Sequence, residues 1–241
     1  MKTAKQAWEQ EYANRRLMTG VKPAKSFLNW VKQVIKQRNL RGSAFPLAGL
    51  QVLDLGSGEG KNALYLAELG ASVTGIEIAV NAVQTTRQRI EQADLGDGGS
   101  SVGSVRIIQG SIGAPYSLPS DTFDLIIDIT SSNSLTDSQR DVYLRESARV
   151  LRPGGQMFVR ALCKDGDTNA KQLLKLHPGV EPDTYLQPDW GLVERVFTEV
   201  DIRVLYRQYF TISSLTRETH YTTVGDRKYK RNFWLLSLYN G

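Results

Sequence analysis

A short glycine-rich segment that follows an acidic residue is the first part of the sequence that could do chemistry. The acid is Asp54, and glycines stand at positions 56, 58 and 60. Glycine allows a sharp turn and lets the backbone approach a ligand without a Cβ clash. A helix that begins directly after such a turn offers unpaired N–H groups to a bound molecule. The segment therefore predicts a ligand-binding turn; the competing interpretation is a glycine-rich turn that binds nothing.

The spacing of these glycines separates two kinds of ligand. A dinucleotide-binding turn has the pattern G-x-G-x-x-G and places a pyrophosphate over the following helix. Here the pattern is G-x-G-x-G, and Asp54 stands two residues before the first glycine. A carboxylate in that place would repel a pyrophosphate, whereas it suits a cationic amino-acid group. S-adenosylmethionine carries an ammonium and a sulfonium, so it fits this turn better than a nicotinamide dinucleotide does.

A second acid, Glu77, stands at the end of the next apolar run, in Gly75-Ile76-Glu77-Ile78. A carboxylate at a strand end of an α/β sheet can accept hydrogen bonds from both hydroxyls of a ribose. The alternative interpretation is an exposed carboxylate at the end of a strand. Its occurrence after the glycine-rich turn favours the ribose contact.

The elements that must position these residues alternate between short apolar runs and amphipathic stretches. Strands are predicted at residues 50–55, 71–76, 105–108, 123–129 and 156–162, with helices at 61–69, 80–93 and 138–151. Pro153-Gly154-Gly155 is predicted to end the last of these helices. Such alternation implies parallel pairing through right-handed crossovers, and hence a doubly wound α/β sheet. Two further β-like runs, 202–210 and 232–239, close the chain, and residues 164–188 carry only a weak helical pattern near 170–176.

The N-terminal part of the chain has a different pattern. Residues 7–40 have apolar and aromatic side chains at helical spacings, with lysines and arginines between them. Gly20 and Pro23 are predicted to split this stretch into two helices, and a turn-rich boundary follows. We therefore predict an N-terminal helical cap, residues 1–42, and an α/β domain, residues 43–241.

Basic residues are concentrated at both ends of the chain. Residues 1–42 hold ten lysines and arginines against Glu9 and Glu11, in a chain whose formal net charge is +5. Residues 203–231 hold seven against Glu218 and Asp226. Basic ends could attract an anionic substrate or a nucleic acid. We favour the interpretation that these charges are solvated helix faces.

Composition bounds the remaining possibilities. The chain has 241 residues, 41% hydrophobic and 23% charged, with no apolar run near the roughly 18 residues of a membrane span. Its N-terminus is polar and leads into no signal-peptide core. The single cysteine, Cys163, cannot form an internal disulfide, so we expect a cytoplasmic protein. Two isolated histidines and one cysteine have no metal-ligand spacing, and no metal site is predicted.

Four segments in order resemble the motifs of class I, Rossmann-like methyltransferases. They are residues 52–60, Glu77, residues 123–128 and residues 151–155, so the resemblance covers about residues 50–162. Each motif alone is weak, but four in order at the family spacing are specific. The stretch 60–67 is similar to small-molecule members, including tellurite- and thiopurine-type enzymes. The resemblance implies a seven-stranded, mostly parallel sheet with an antiparallel last strand, and S-adenosylmethionine as the cofactor.

The resemblance also implies roles for individual residues. Asp54, Gly56 and Gly58 would line the methionine part of the cofactor, while Glu77 would hold the ribose and Ile78 would lie against one adenine face. The family has a Gly-Asp pair after the third strand, where this sequence has Gly110-Ser111. A serine hydroxyl can hydrogen-bond to adenine but carries no charge. The implied cofactor-binding residues are Asp54, Gly56, Ser57, Gly58, Gly60, Glu77, Ile78, Ser111, Ile112 and Asp128, the last in a wall between cofactor and substrate.

Methyl transfer from a sulfonium is an in-line displacement that depends mainly on holding the nucleophile in place. A general base is needed only if the acceptor must lose a proton. His220 is the one weak candidate for that base, expected between the last two strands, and a surface or structural role is the favoured interpretation. Asn133, His220 and Tyr221 are candidate substrate contacts, although turn chemistry is the favoured interpretation of Asn133.

The sequence thus predicts a methyltransferase that acts on a small molecule. The motif of amino-modifying nucleic-acid methyltransferases, Asn/Asp-Pro-Pro-aromatic, is absent after the fourth strand, where the sequence reads Asp128-Ile129-Thr130-Ser131. An RNA or protein methyltransferase remains an alternative because of the basic ends. A nicotinamide-dependent oxidoreductase and a non-catalytic cofactor-binding partner subunit are alternatives from other classes. The acceptor atom and the oligomeric state are left open.

Overall fold

The computed structural model describes residues 3–14, 22–39, 42–96, 102–188, 191–224 and 227–241. Its helices are α1 (Ala4–Asn14), α2 (Lys25–Gln37), α3 (Lys61–Glu68), α4 (Val80–Gln92), α5 (Asp137–Val150), α6 (Thr168–Leu176) and α7 (Glu199–Tyr206), with a 3₁₀ turn at Ser132–Ser134. Its strands are β1 (Gln51–Leu55), β2 (Ser72–Glu77), β3 (Ser104–Gln109), β4 (Phe123–Ile129), β5 (Leu151–Leu162), β6 (Thr184–Leu186), β7 (Val193–Arg195), β8 (Thr211–Val224) and β9 (Arg227–Tyr239). No helix in these described ranges is long and apolar enough to cross a membrane.

Seven strands form one sheet in the order β3-β2-β1-β4-β5-β9-β8. The first five pair in parallel, and β9 runs antiparallel to both β5 and β8. The order reverses between β1 and β4, because the chain first builds the sheet outward to β3 and then returns to the other side of β1. This doubly wound, mostly parallel sheet with an antiparallel last strand is the predicted fold class.

The sheet is buried on both faces because its central strands are almost continuously apolar. Leu53 and Ile126 belong to the core on one face, and Val52 and Leu125 to the core on the other. Helix α2 is part of the second core: the Trp30 ring lies 5.3 Å from that of Phe158 on β5. Thus α2 packs against the sheet as the crossover helices do. The division at residue 42 into a helical cap and an α/β domain stays a prediction.

The strand predicted at 202–210 is wrong. Thr198 begins helix α7 there with a capping box, in which its hydroxyl accepts from the Asp201 N–H and the Asp201 carboxylate accepts from the Thr198 N–H. The run looks like a strand because Val200, Ile202 and Val204 alternate with polar residues, yet Val200 and Val204 are exposed. The strand itself, β8, begins later and is longer than predicted, so His220 lies within it and not between strands.

A second correction concerns Pro153-Gly154-Gly155, which was expected to separate a helix from a strand beginning at residue 156. The structure begins β5 at Leu151, with the three residues inside it and an irregular register. Leu151 pairs with Phe123 and Gln156 with Leu125, so the extra residues form a bulge-like insertion. The predicted helix near 170–176 is α6, and the small β6–β7 sheet in the weakly patterned region was not predicted.

Candidate functional site

A cavity of about 340 Å³ lies at the carboxyl ends of the parallel strands, beside the point where the strand order reverses. This is where α/β sheets of this kind bind their ligands, and the volume is within the range of small-molecule sites. Residues that follow β1, β2, β3 and β4, together with the end of β5, line it. Helix α1 supplies the remaining side.

The turn after β1 keeps its backbone open to the cavity. Gly56, Gly58 and Gly60 all have left-handed φ angles, of +70°, +57° and +78°. A Cβ at Gly58 would lie 2.7 Å from the Tyr12 hydroxyl oxygen of α1, so both the conformation and the close approach require glycine there. Gly60 is the N-cap of α3 and lies just outside the cavity lining. The sequence therefore folds this turn as predicted, with α1 packed directly on it.

Three buried polar atoms around this turn have no hydrogen-bond partner in the described part of the chain. They are Asp54 Oδ2, Ser57 Oγ and Asn62 Oδ1, and Ser57 and Asn62 line the cavity. Burial, together with the charges of Asp128 and Glu77, raises the pKa of Asp54 to about 8, and Lys61 partly opposes the shift. Unpartnered buried polar atoms cost free energy, so a ligand with ammonium and hydroxyl groups fits this donor and acceptor set.

Glu77 lies at the end of β2 and is 4% exposed. Its Oε2 accepts from the Gly58 N–H at 2.9 Å and its Oε1 from the Ala79 N–H at 2.8 Å. Burial raises the pKa of Glu77, while these backbone donors lower it. Glu77 thus ties the β1–α3 turn to β2 and also lines the cavity, and its contact with a ribose stays a prediction.

The other predicted cofactor contacts fall into two groups. Ile78, Ser111 and Ile112 line the cavity, with the Ser111 hydroxyl accepting from the Gly113 N–H at 3.1 Å. The Asp128 carboxylate is buried and lies outside the lining. Its Oδ1 accepts from the Ser131 N–H at 2.9 Å and its Oδ2 from the Tyr143 hydroxyl at 2.7 Å. Asp128 therefore shapes the loop after β4, and it is this loop that faces the cavity.

That loop contains the strained residue of the site. Thr130 lines the cavity with a φ of +62°, a conformation that β-branched residues rarely adopt. Its N–H donates to the Arg160 carbonyl at 2.8 Å, and the Ser131 hydroxyl donates to the Gly56 carbonyl at 3.2 Å. The loop is thereby fixed to both neighbouring strand ends. Strain held by such contacts is typical of functional sites.

The three predicted substrate residues lie outside the cavity lining. The Asn133 side chain is buried, and its Oδ1 accepts from the Leu162 N–H at 2.9 Å, so it joins the loop to β5. His220 Nε2 lies 3.0 Å from Glu218 Oε2 on a side chain that is 51% exposed. Tyr221 is 61% exposed. Their contacts with substrate stay predictions, and His220 reaches the cavity only through Glu218 and Arg160.

Sequence reasoning missed several lining residues. Ala4, Trp8 and Tyr12 follow one another at intervals of four on α1 and line the cavity. Burial and then the nearby Glu77 charge raise the pKa of Tyr12 well above its usual value. Arg160 at the end of β5 was also missed. Its position at the carboxyl end of a parallel strand was the signal that could have found it.

Comparisons with known proteins agree with this geometry. Residues 52–155 match the model of a methyltransferase domain. The chain is 38% identical over 113 residues to the methyltransferase GfsG of Streptomyces halstedii, covering 46% of this chain and 37% of that protein. It is 29% identical over 149 residues to the demethylmenaquinone methyltransferase of Tropheryma whipplei, covering 60% of this chain and 57% of that protein. The chain thus spans about half the length of these curated relatives or less.

Solved structures show the same fold at low sequence identity. A methyltransferase from Methanosarcina mazei superposes with a TM-score of 0.67 at 20% identity, over 81% of this chain and 94% of that one. The Burkholderia thailandensis 1,6-didemethyltoxoflavin-N1-methyltransferase, solved with S-adenosylhomocysteine, superposes with a TM-score of 0.63 at 17% identity, over 96% and 84%. These matches show that the chain has the fold of those methyltransferases, and residues 52–155 are similar to a methyltransferase domain.

Proposed function

We propose that this protein transfers a methyl group from S-adenosylmethionine to a small-molecule acceptor. The observation that carries the proposal is a cavity at the switch point of the sheet that is lined by Glu77 and by the unpartnered Ser57 Oγ and Asn62 Oδ1, with the unpartnered Asp54 Oδ2 buried at the same turn. Such a set suits a zwitterionic nucleoside better than it suits a pyrophosphate, because the nearest charges are carboxylates.

Different residues would bind different parts of the cofactor. Asp54, Ser57 and Asn62 would hold its amino-acid end, and Glu77 would accept from the ribose hydroxyls. Ile78 and Ile112 would provide apolar contacts for the adenine. Bound S-adenosylmethionine supplies a methyl group that its sulfonium already activates. The protein's task is then to hold the acceptor in line with that methyl group and to keep water away.

The cavity itself favours a small acceptor. Helix α1 crosses the site, with Trp8 and Tyr12 in the lining, so the acceptor would bind in an enclosed space. One of the relatives, the demethylmenaquinone methyltransferase, is named for a small-molecule acceptor. The basic ends favour RNA as the second candidate, but the aromatic residues of α1 face the cavity, where they cannot stack on bases of a long strand. The free, buried thiol of Cys163 fits the proposed cytoplasmic location.

A methyl-transfer screen tests the proposal. The protein would be incubated with S-adenosylmethionine labelled in its methyl group and with either metabolite extracts or total RNA. We expect label to enter small, organic-extractable products. Label that enters RNA would replace the small-molecule assignment with the second candidate, and binding of the cofactor without any transfer would point to a non-catalytic subunit.

A further inference from the structure

Arg160 places a guanidinium at the end of the cavity that the proposed cofactor contacts do not use. The residue lines the cavity from the carboxyl end of β5, and its side chain is only 12% exposed. Its Nε donates to Glu218 Oε2 at 2.9 Å, and its guanidinium carbon lies 3.4 Å from the centre of the Phe233 ring. The side chain is therefore held in one orientation by an ion pair and a cation–π contact.

These contacts leave most of the guanidinium donors unfilled. Arginine has five N–H donors, and the bond to Glu218 uses the one on Nε. In the described part of the chain the Arg160 Nη nitrogens make no hydrogen bond. Burial lowers the pKa of Arg160, although arginine remains charged in proteins. A nearly buried cation with free donors in a planar fork suits a carboxylate or another oxyanion.

The two acids that line the cavity have partners of their own. Glu59 binds Arg89 at 2.9 Å, and Glu77 accepts two backbone N–H groups. Lys61 lowers the pKa of Asp54 and so lies near the glycine-rich turn. Arg160 is thus the lining cation that lies away from that turn, next to β9 and β8.

Strand order gives the distance between the two ends of the site. Glu77 ends β2 and Arg160 lies near the end of β5, and β1 and β4 lie between them. Three strand spacings separate them, which is roughly 14 Å at the usual spacing of neighbouring strands. A nucleoside held by Glu77 and the β1–α3 turn would therefore leave Arg160 to the second substrate.

We propose that Arg160 binds the methyl acceptor and that the acceptor carries a negatively charged oxygen, as a carboxylate or an ionised acidic hydroxyl. The inference rests on the proposed function, because it assigns the methyl acceptor to the part of the same cavity that the cofactor would leave free. Glu218 acts as a positioning residue, since it holds the guanidinium through Nε. His220, which lies 3.0 Å from the same Glu218 oxygen, supports that arrangement from the outer side.

Matched pairs of fragments test this assignment in the complex with S-adenosylhomocysteine. Benzoate would be compared with benzamide, and 4-nitrophenolate with 4-nitroanisole, by ligand-observed NMR at mildly alkaline pH. We expect the wild type to bind at least one anion about 10-fold more tightly than its neutral partner, the scale of a charge-assisted hydrogen bond. The pair that shows the preference identifies the carboxylate or the hydroxyl as the source of the charge.

Variants locate the preference at Arg160. Arg160→Gln should abolish it, and Arg160→Lys should retain part of it, because lysine keeps the charge but loses the planar fork. Arg207→Gln, the same change at an exposed arginine outside the cavity, should leave it intact. Thermal melting of each variant shows whether it is folded, and Arg160→Lys serves if Arg160→Gln does not fold.

Two results would separate failure of this inference from failure of the proposed function. If S-adenosylhomocysteine binds but neither anion is preferred, or if Arg160→Gln and Arg160→Lys both keep the preference, Arg160 is not the acceptor site. If S-adenosylhomocysteine does not bind the wild type at all, the proposed function itself is wrong.

Discussion

Three carboxylates toward the carboxyl ends of β1, β2 and β4, Asp54, Glu77 and Asp128, differ in the partners that the fold gives them. Asp128 accepts from two backbone N–H groups and a tyrosine hydroxyl, and Glu77 accepts from two backbone N–H groups. Asp54 is 1% exposed and keeps one oxygen without a partner in the described residues. Of the three, Asp54 should therefore respond most to a bound cation.

Cofactor binding should release a proton from Asp54. Its pKa of about 8 means that it is mostly protonated near neutral pH, and an ammonium nearby would favour the ionised form. Binding of S-adenosylhomocysteine near neutral pH should then release up to about one proton. Calorimetry in buffers of different ionisation enthalpy measures this number. Asp54→Asn should remove the release, and a binding enthalpy that is the same in all buffers would contradict the prediction.

The same raised pKa predicts how stability depends on pH. The folded protein binds a proton at Asp54 more tightly than the unfolded chain, whose carboxyl has its ordinary pKa near 3.8. The contribution of Asp54 to stability is therefore greatest below the ordinary pKa and is lost as pH rises toward about 8. Without ligand, Asp54→Asn should flatten the decline of the free energy of unfolding across this window, as urea unfolding at several pH values would show. An unchanged slope would mean that Asp54 ionises freely.

Loss of Glu77 should weaken cofactor binding. Glu77→Ala removes a predicted ribose acceptor and also frees the Gly58 N–H, so we expect S-adenosylhomocysteine to lose about 1.5–3 kcal/mol. Glu68→Ala, at an exposed position on α3, is the matched control and should bind normally. Calorimetric titration of both variants measures the difference. If Glu77→Ala and Glu68→Ala bind S-adenosylhomocysteine equally well, Glu77 does not contact it.

At the scale of elements, local sequence was enough for the parallel strands and their crossover helices. Each of these strands is a short apolar run between turn residues, so its burial follows from its own composition. The run containing Ile202 was predicted as a strand because its exposed valines alternate with polar residues. The capping box at Thr198 was the signal that a helix begins there. The small β6–β7 sheet pairs residues that are close in the sequence, but its two strands have only three residues each, too few to show a strand pattern.

Helix α2 should contribute mainly to stability, and helix α1 mainly to methyl transfer. α2 places Phe27 and Trp30 in the sheet core, so Trp30→Ala should cost about 3–5 kcal/mol of stability. α1 lines the cavity with Trp8 and Tyr12, so removal of residues 1–21 should cost much less stability and yet abolish methyl transfer, because the cavity opens to water. Chemical denaturation and the labelled-methyl assay measure the two effects. Full turnover without residues 1–21 would show that α1 is no part of the site.

At the scale of the whole molecule, the doubly wound sheet and the place of the glycine-rich turn could be predicted, because the four ordered motifs implied them together. The site residues that could not be predicted are those that regions far apart in the sequence bring together. Trp8 and Tyr12 reach the cavity from the N-terminal helix, and Arg160 is oriented by Glu218 and Phe233 from the last two strands. Such contacts join residues about 58 to 73 positions apart in the chain, and only tertiary packing defines them.

The basic ends give a prediction for the molecule as a whole. With a net charge of +5, the protein should bind RNA weakly, without sequence preference, and with an affinity that falls steeply between about 50 and 200 mM salt. A filter-binding assay across this range measures the slope. Tight binding of one RNA that persists at the higher salt concentration would favour an RNA substrate.

The central claim, that the turn after β1 binds S-adenosylmethionine and not a dinucleotide, is tested most directly by calorimetric titration of the full-length protein with S-adenosylhomocysteine and, separately, with NAD. We expect saturable binding of one S-adenosylhomocysteine per chain and no measurable response to NAD, because the G-x-G-x-G spacing and the Asp54 carboxyl do not suit a pyrophosphate at this turn. Tight binding of NAD with no response to S-adenosylhomocysteine would contradict it.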